Sequence, residues 1–160
     1  MPEPGAFPDP LSGSFDGPGL HRYPVRVFYE DTDAGGIVYH ANYLRYMERA
    51  RTEMLRLVGL RHTELMERDG VSFAVRRMGI EFVAPAKLDD TLEVVTRIVD
   101  MGGASLAVAQ SVRRADQKDG PEGRELARAD LTLALINRAG RPARLPASLR
   151  EILNTLHPKA

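Results

Sequence analysis

The sequence predicts an α+β domain in which one long central helix is wrapped by a five- or six-stranded antiparallel sheet. Three observations carry this. From Tyr43 the apolar residues Tyr43, Tyr46, Met47, Ala50, Met54, Leu57 and Val58 recur at helical spacing and form one stripe. Four later runs are rich in β-branched or alternating apolar residues: Ser72 to Val83, Thr91 to Met101, Ser105 to Arg113 and Arg124 to Asn137. The breaks between the last three, Gly102-Gly103 and Gln117 to Gly123, suit hairpins, so those strands are expected to run antiparallel. A sheet with one apolar face and a helix with one apolar stripe bury both by packing on each other.

The elements follow in order. Residues 1–20 hold five of the eleven prolines and four of the fourteen glycines, and read as a disordered tail ahead of a single domain over 21–160. Tyr23 to Phe28 reads as a first strand, with Pro24 suited to a sheet edge. Asp31, Thr32, Asp33, Gly35 and Gly36 then form a turn-rich break before the helix. The helix carries Arg45, Arg49, Arg51, Glu53 and Arg56 on its polar face and stops at Gly59, which suits a left-handed cap. A short helical turn is expected over Thr63 to Arg68, and Leu149, Ile152, Leu153 and Leu156 after Pro146 predict a closing amphipathic helix.

Composition narrows the function. In 160 residues, 22 Lys and Arg balance 22 Asp and Glu, so no net field favours nucleic acid or an anionic membrane. The pairs Arg76-Arg77 and Arg113-Arg114 are too short to argue nucleic-acid binding. There is no cysteine, which removes disulfides, thiolate nucleophiles and sulfur-ligated zinc. His21, His40, His62 and His157 have no metal-site spacing, so no metal is expected. No apolar run approaches the roughly 20 residues of a membrane span, and the N-terminus lacks a secretory pattern, so a cytoplasmic location is expected.

The chemistry-bearing segment is Asp31-Thr-Asp33-Ala-Gly-Gly36 just before the helix. Thioester hydrolysis needs a carboxylate to attack carbonyl carbon or activate water, and N–H donors for the developing oxygen charge. A turn leading into a helix N-terminus offers both. Spacing alone equally fits aspartates that only bond back to the backbone.

The run Tyr29-Glu-Asp-Thr-Asp-Ala-Gly-Gly-Ile-Val-Tyr-His-Ala-Asn-Tyr43, with Tyr46-Met-Glu-Arg-Ala-Arg-Thr-Glu-Met-Leu55, resembles the 4-hydroxybenzoyl-CoA thioesterase branch of the hot-dog superfamily. Within it, the likeness is to the acyl-CoA thioesterases associated with the bacterial Tol-Pal system. The resemblance implies a hot-dog fold over roughly residues 22–157 and an acyl-CoA substrate. It makes Asp33 the catalytic carboxylate, as nucleophile or general base. It places the oxyanion donor, a backbone N–H, at His40 or its neighbours, with Gly36 and Tyr39 alongside as substrate-binding positions. The His40 imidazole is a second candidate for moving a proton to the leaving thiolate. The same resemblance implies an edge-to-edge homodimer, often paired into a homotetramer, with acyl-CoA between subunits and no metal or redox cofactor.

Some relatives grip the CoA phosphates with a basic pair where this chain has Gly102-Gly103, which turns attention to Arg76, Arg77 and Lys87. Another hot-dog branch uses a carboxylate on the long helix, which makes Glu48 a reserve candidate. Ser105 lacks the strand-to-helix setting of a nucleophile elbow and reads as structural. Two other readings compete: a non-catalytic module binding acyl chains or acyl carrier protein for a cell-envelope complex, and a hydratase, for which no His-containing motif is present.

Overall fold

The computed structural model describes residues 11–115 and 123–157. The elements are β1 (Ser14–Phe15), β2 (His21–Arg26), a 3-10 turn (Tyr29–Asp31), α1 (His40–Leu57), α2 (His62–Asp69), β3 (Val71–Phe82), β4 (Thr91–Met101), β5 (Ser105–Arg114), β6 (Arg124–Asn137) and α3 (Ala147–Leu156). The strands form one six-stranded sheet in the order β1-β2-β4-β5-β6-β3, with every neighbouring pair antiparallel.

The predicted α+β architecture is the one observed. Along β4, Leu92, Val94, Thr96 and Ile98 are buried while the residues between them are not; β5 buries Leu106, Val108, Gln110 and Val112. This period of two gives the sheet one inner face, and α1 lies across it against β2, β4 and β5. Tyr43, Tyr46, Met47, Ala50 and Met54 of the predicted stripe are buried there. The N-terminal half of α1 packs with Val27, Val38, Ala86, Leu92, Val94 and Val112, and its C-terminal half packs in a second cluster that α2 and α3 close.

Two boundaries differ from expectation, and the structure adds the place of one strand in the sheet. Helix α1 begins at His40, three positions before the apolar stripe, because His40-Ala41-Asn42 adds a turn without a large apolar side chain. Strand β2 runs from His21 to Arg26; Val27 leaves the ladder and instead exchanges backbone bonds with Asp89 and Asp90. Strand β3 follows the helices directly yet lies at the far edge, beside β6 rather than β4.

The expected tail over 1–20 is corrected for its second half. Residues 11–20 lie on the domain: β1 pairs with β2, Ser12 is buried, and its hydroxyl donates to Glu53 of α1 at 2.6 Å. Gly13 has φ +71°, and a Cβ there would run into the carbonyl oxygen of Arg22, so this close approach requires glycine. Low apolar content hid the segment because it is held by backbone pairing and by the polar contacts of Ser12 with Glu53 and His21 rather than by a hydrophobic stripe. Residues 1–10 lie outside the described residues, as does most of the expected Gln117–Gly123 hairpin loop.

Candidate active site

The segment between β2 and α1 folds back on itself. Asp31 caps the 3-10 turn, its Oδ2 accepting from the Phe28 N–H at 2.8 Å. Thr32 and Val38 form an antiparallel bridge, the Asp33 N–H donates to the Ile37 carbonyl at 2.9 Å, and the Tyr39 N–H donates to the Asp31 carbonyl at 2.9 Å. Gly36 closes the tip with φ +78°, its N–H donating to the Asp33 carbonyl at 3.0 Å. The turn is tied to the sheet side by the Ile37–Lys87 bridge and by the Val38 N–H donating to Ala86 at 2.9 Å.

Asp33 therefore has a fixed backbone and an exposed carboxylate. Oδ1 accepts from the Gly35 N–H at 2.9 Å, which orients the group, while no partner to Oδ2 occurs among the described residues. Asp33 thus makes the aspartate turn that the sequence also allowed.

Helix α1 starts without a side-chain cap at Tyr39. The first N–H groups of a helix have no partner within it, and those of His40 and Ala41 have no acceptor among the described residues. Of the expected donors, His40 is thus open. The N–H groups of Gly36 and Tyr39 are already donated to the Asp33 and Asp31 carbonyls, because they close the turn itself.

Aromatic rings surround the helix start. His40 stacks at a tilt on Tyr39 with centroids 4.5 Å apart and meets Phe82 of β3 edge-on at 6.1 Å. Phe82 in turn meets Tyr43 at 5.6 Å. Tyr39, His40 and Phe82 are exposed, whereas Tyr43 is buried and its hydroxyl oxygen accepts from the Ala86 N–H at 3.0 Å. Tyr46, one turn further, is buried; burial, then the nearby Asp31 charge, pushes its phenol above the usual range. It stays neutral.

Of the other candidates, Lys87 is placed at the turn by its bridge to Ile37. Arg76 and Arg77 sit at a bulge in β3, exposed on the sheet edge. Glu48 is exposed on α1, accepting from Thr52 at 3.0 Å, and belongs to no shared site with Asp33. Ser105 lies in the β4–β5 hairpin, where its carbonyl accepts from the Gly102 N–H. No group of three or more His, Cys, Asp or Glu capable of holding a metal occurs among the described residues. No helix among them is long and apolar enough to cross a membrane.

Sequence reasoning missed Asn42. It is buried, its Nδ2 donates to the Asp31 carbonyl at 2.9 Å, and its Oδ1 accepts from Arg45 at 2.6 Å. The available signal was a polar residue falling beside the apolar stripe, four positions before Tyr46.

A long helix across the inner face of an antiparallel sheet, with a carboxylate turn at the helix start, defines the hot-dog class of thioester hydrolases. Residues 35–120 match the thioesterase superfamily, and the chain belongs to that family. An acyl-CoA thioester hydrolase of Escherichia coli, YbgC, is 54% identical over 97 residues, which span 61% of this chain and 72% of that protein. The acyl-CoA thioesterase YbgC of Helicobacter pylori is 32% identical over 135 residues, covering 82% of this chain and 98% of that one. Among solved structures, a probable thioesterase from Bartonella henselae superposes with a TM-score of 0.73 at 38% identity, covering 79% of this chain and 99% of that one.

Proposed function

We propose that this protein hydrolyses acyl-CoA thioesters to the free acid and CoA, with the Asp33 carboxylate as nucleophile or general base and the His40 N–H as oxyanion donor. The observation that carries this is the pairing of an exposed, oriented carboxylate with an open helix N-terminus, held at opposite ends of one hydrogen-bonded turn.

In the nucleophilic route, Asp33 Oδ2 attacks the thioester carbon, the carbonyl oxygen takes the negative charge, and the C–S bond breaks to give an acyl anhydride and CoA thiolate. Water then hydrolyses the anhydride and restores the carboxylate. In the general-base route, Asp33 takes a proton from water as the hydroxyl adds to the same carbon, and the proton ends on the leaving thiolate. Both routes need a donor aimed at the developing oxyanion, which is where an unpaired N–H at a helix start contributes most. In this reading the His40 imidazole carries the proton to sulfur.

Two copies join through their β3 edges in this reading, with acyl-CoA between them, and such dimers pair into tetramers. Strand β3 pairs with β6 alone among the described strands, and Val75, Arg76 and Arg77 on it are exposed. Next to its end, Phe82 and Val83 add exposed apolar surface beside the Asp33 turn, the kind of surface a second copy covers. In this reading Lys87, whose backbone bridges Ile37 of the turn, meets the CoA phosphates.

Thiol release from short, long and aromatic acyl-CoA substrates, for the native protein and Asp33→Asn at equal folded concentration, tests the assignment. Release from at least one substrate that Asp33→Asn abolishes is the expected result. Release that survives Asp33→Asn undiminished would remove Asp33 from the chemistry.

A further inference from the structure

We propose that Asn42 is the positioning residue of this site: its buried carboxamide clamps the start of α1 to the Asp31 carbonyl and so sets where the His40 N–H stands relative to the Asp33 carboxylate. This rests on the roles given to Asp33 and His40 above.

The orientation of the carboxamide is decided by chemistry. Arg45 has only donors, so the atom it meets at 2.6 Å is the Asn42 oxygen, and the amide nitrogen is left to face Asp31 at 2.9 Å. The Asp31 carbonyl oxygen also accepts from the Tyr39 N–H at 2.9 Å, so both of its lone pairs are used, one by the backbone before the helix and one by a side chain within its first turn. The Asn42 N–H itself donates to the Tyr39 carbonyl at 2.9 Å. Residues 31, 39 and 42 thus form a closed knot from which Asp33 departs on one side and His40 on the other.

This is the reverse of ordinary capping. An Asn that caps a helix accepts with its side-chain oxygen from the first N–H groups and uses them up. Asn42 instead donates away from the helix, holding the helix start in place while the His40 and Ala41 N–H groups stay open. A short polar residue inside a helix has below-average propensity, and burying an amide is unfavourable unless its bonds are made. The structure makes them in the one direction that preserves a free donor. Misplacing a catalytic group by about an ångström can reduce turnover 100-fold, so the clamp acts on turnover without touching substrate.

The test uses Asn42→Leu, which keeps the branched side-chain shape at a larger volume and removes both bonds, with amide hydrogen exchange at Tyr39 and steady-state kinetics on the best acyl-CoA substrate. The expected result is faster Tyr39 exchange with unchanged protection in β5 and β6, kcat lower by about tenfold or more, and KM within about twofold. Unchanged Tyr39 exchange, or unchanged kcat in the folded variant, would overturn the proposal, as would a loss confined to KM. If the native protein released no thiol from any substrate, the hydrolase reading would fall, while Tyr39 exchange would still decide whether the clamp exists. Should Asn42→Leu not fold, Arg45→Met, which removes the donor that orients the carboxamide, is read by the same two measurements.

Discussion

The Tyr39 N–H donates to the Asp31 carbonyl across 2.9 Å, and this bond closes the base of the turn that holds Asp33, whose tip the Gly36 N–H closes. Because the turn is shaped by backbone contacts, the Asp33 side chain can change without unfolding it. Asp33→Asn keeps an Oδ1 acceptor for the Gly35 N–H. Its stability should match the native protein within about 0.5 kcal/mol in urea unfolding, while hydrolysis falls at least about 100-fold. A matching loss of stability would make Asp33 a structural residue instead.

Gly36 has φ +78° at the tip of the same turn, where a Cβ meets its own backbone. Gly36→Ala should cost about 1–2 kcal/mol and lower kcat more than the fraction folded explains. Gly36→Asn, which tolerates this conformation better, should recover part of both. Equal activity in all three proteins would show that turn geometry does not matter to turnover.

Under the helix, Gln110 of β5 accepts from Arg51 at 2.9 Å and donates to the Met47 carbonyl and to Thr96, each at 2.9 Å. Burial pushes the Arg51 guanidinium below its usual range, and the nearby Glu48 charge opposes this. Gln110→Leu leaves that partly buried cation without its acceptor and should destabilise by about 2–3 kcal/mol. Arg51→Met in the same chain should restore much of the loss, since removing both partners of a buried polar pair costs less than removing one. Additive losses in denaturant melts would disprove the coupling.

His21 is fully buried, with Nε2–H donating to the Ser12 carbonyl at 2.7 Å and Nδ1 without a partner among the described residues. Burial lowers its pKa, opposed by the Ser12 bond and by the charge of Glu53, the ionised group facing it from α1. The native state therefore binds fewer protons than the unfolded chain. Stability is full above the unfolded value near 6.5 and is lost as pH falls from there towards the lower native value. Thermal midpoints should drop as pH falls below about 6.5, and His21→Gln should flatten that drop. A slope left unchanged by the substitution would assign it to other groups.

Much of the architecture was legible because it depends on periodicity. The stripe from Tyr43 to Met54, the alternation from Leu92 to Ile98 and the apolar run at Leu149, Leu153 and Leu156 each declare a face, and each face is buried. The turn at Asp31 to Gly36 was equally visible, because short polar residues and glycine mark such geometry directly. The strap over 11–20 and the first turn of α1 were not, since backbone pairing and single polar contacts leave no repeating pattern.

The sequence by itself determined the fold class and the segment carrying the carboxylate. Only the tertiary structure decided which donors remain open there: Gly36 and Tyr39 spend their N–H groups on closing the turn, while His40 does not. It also decided that Asn42 is a clamp and that β3 is an edge. Local pattern reports which face a residue prefers, but hydrogen-bond satisfaction is settled between groups distant in the chain, and only the folded geometry brings Asp31, Tyr39 and Asn42 to one oxygen.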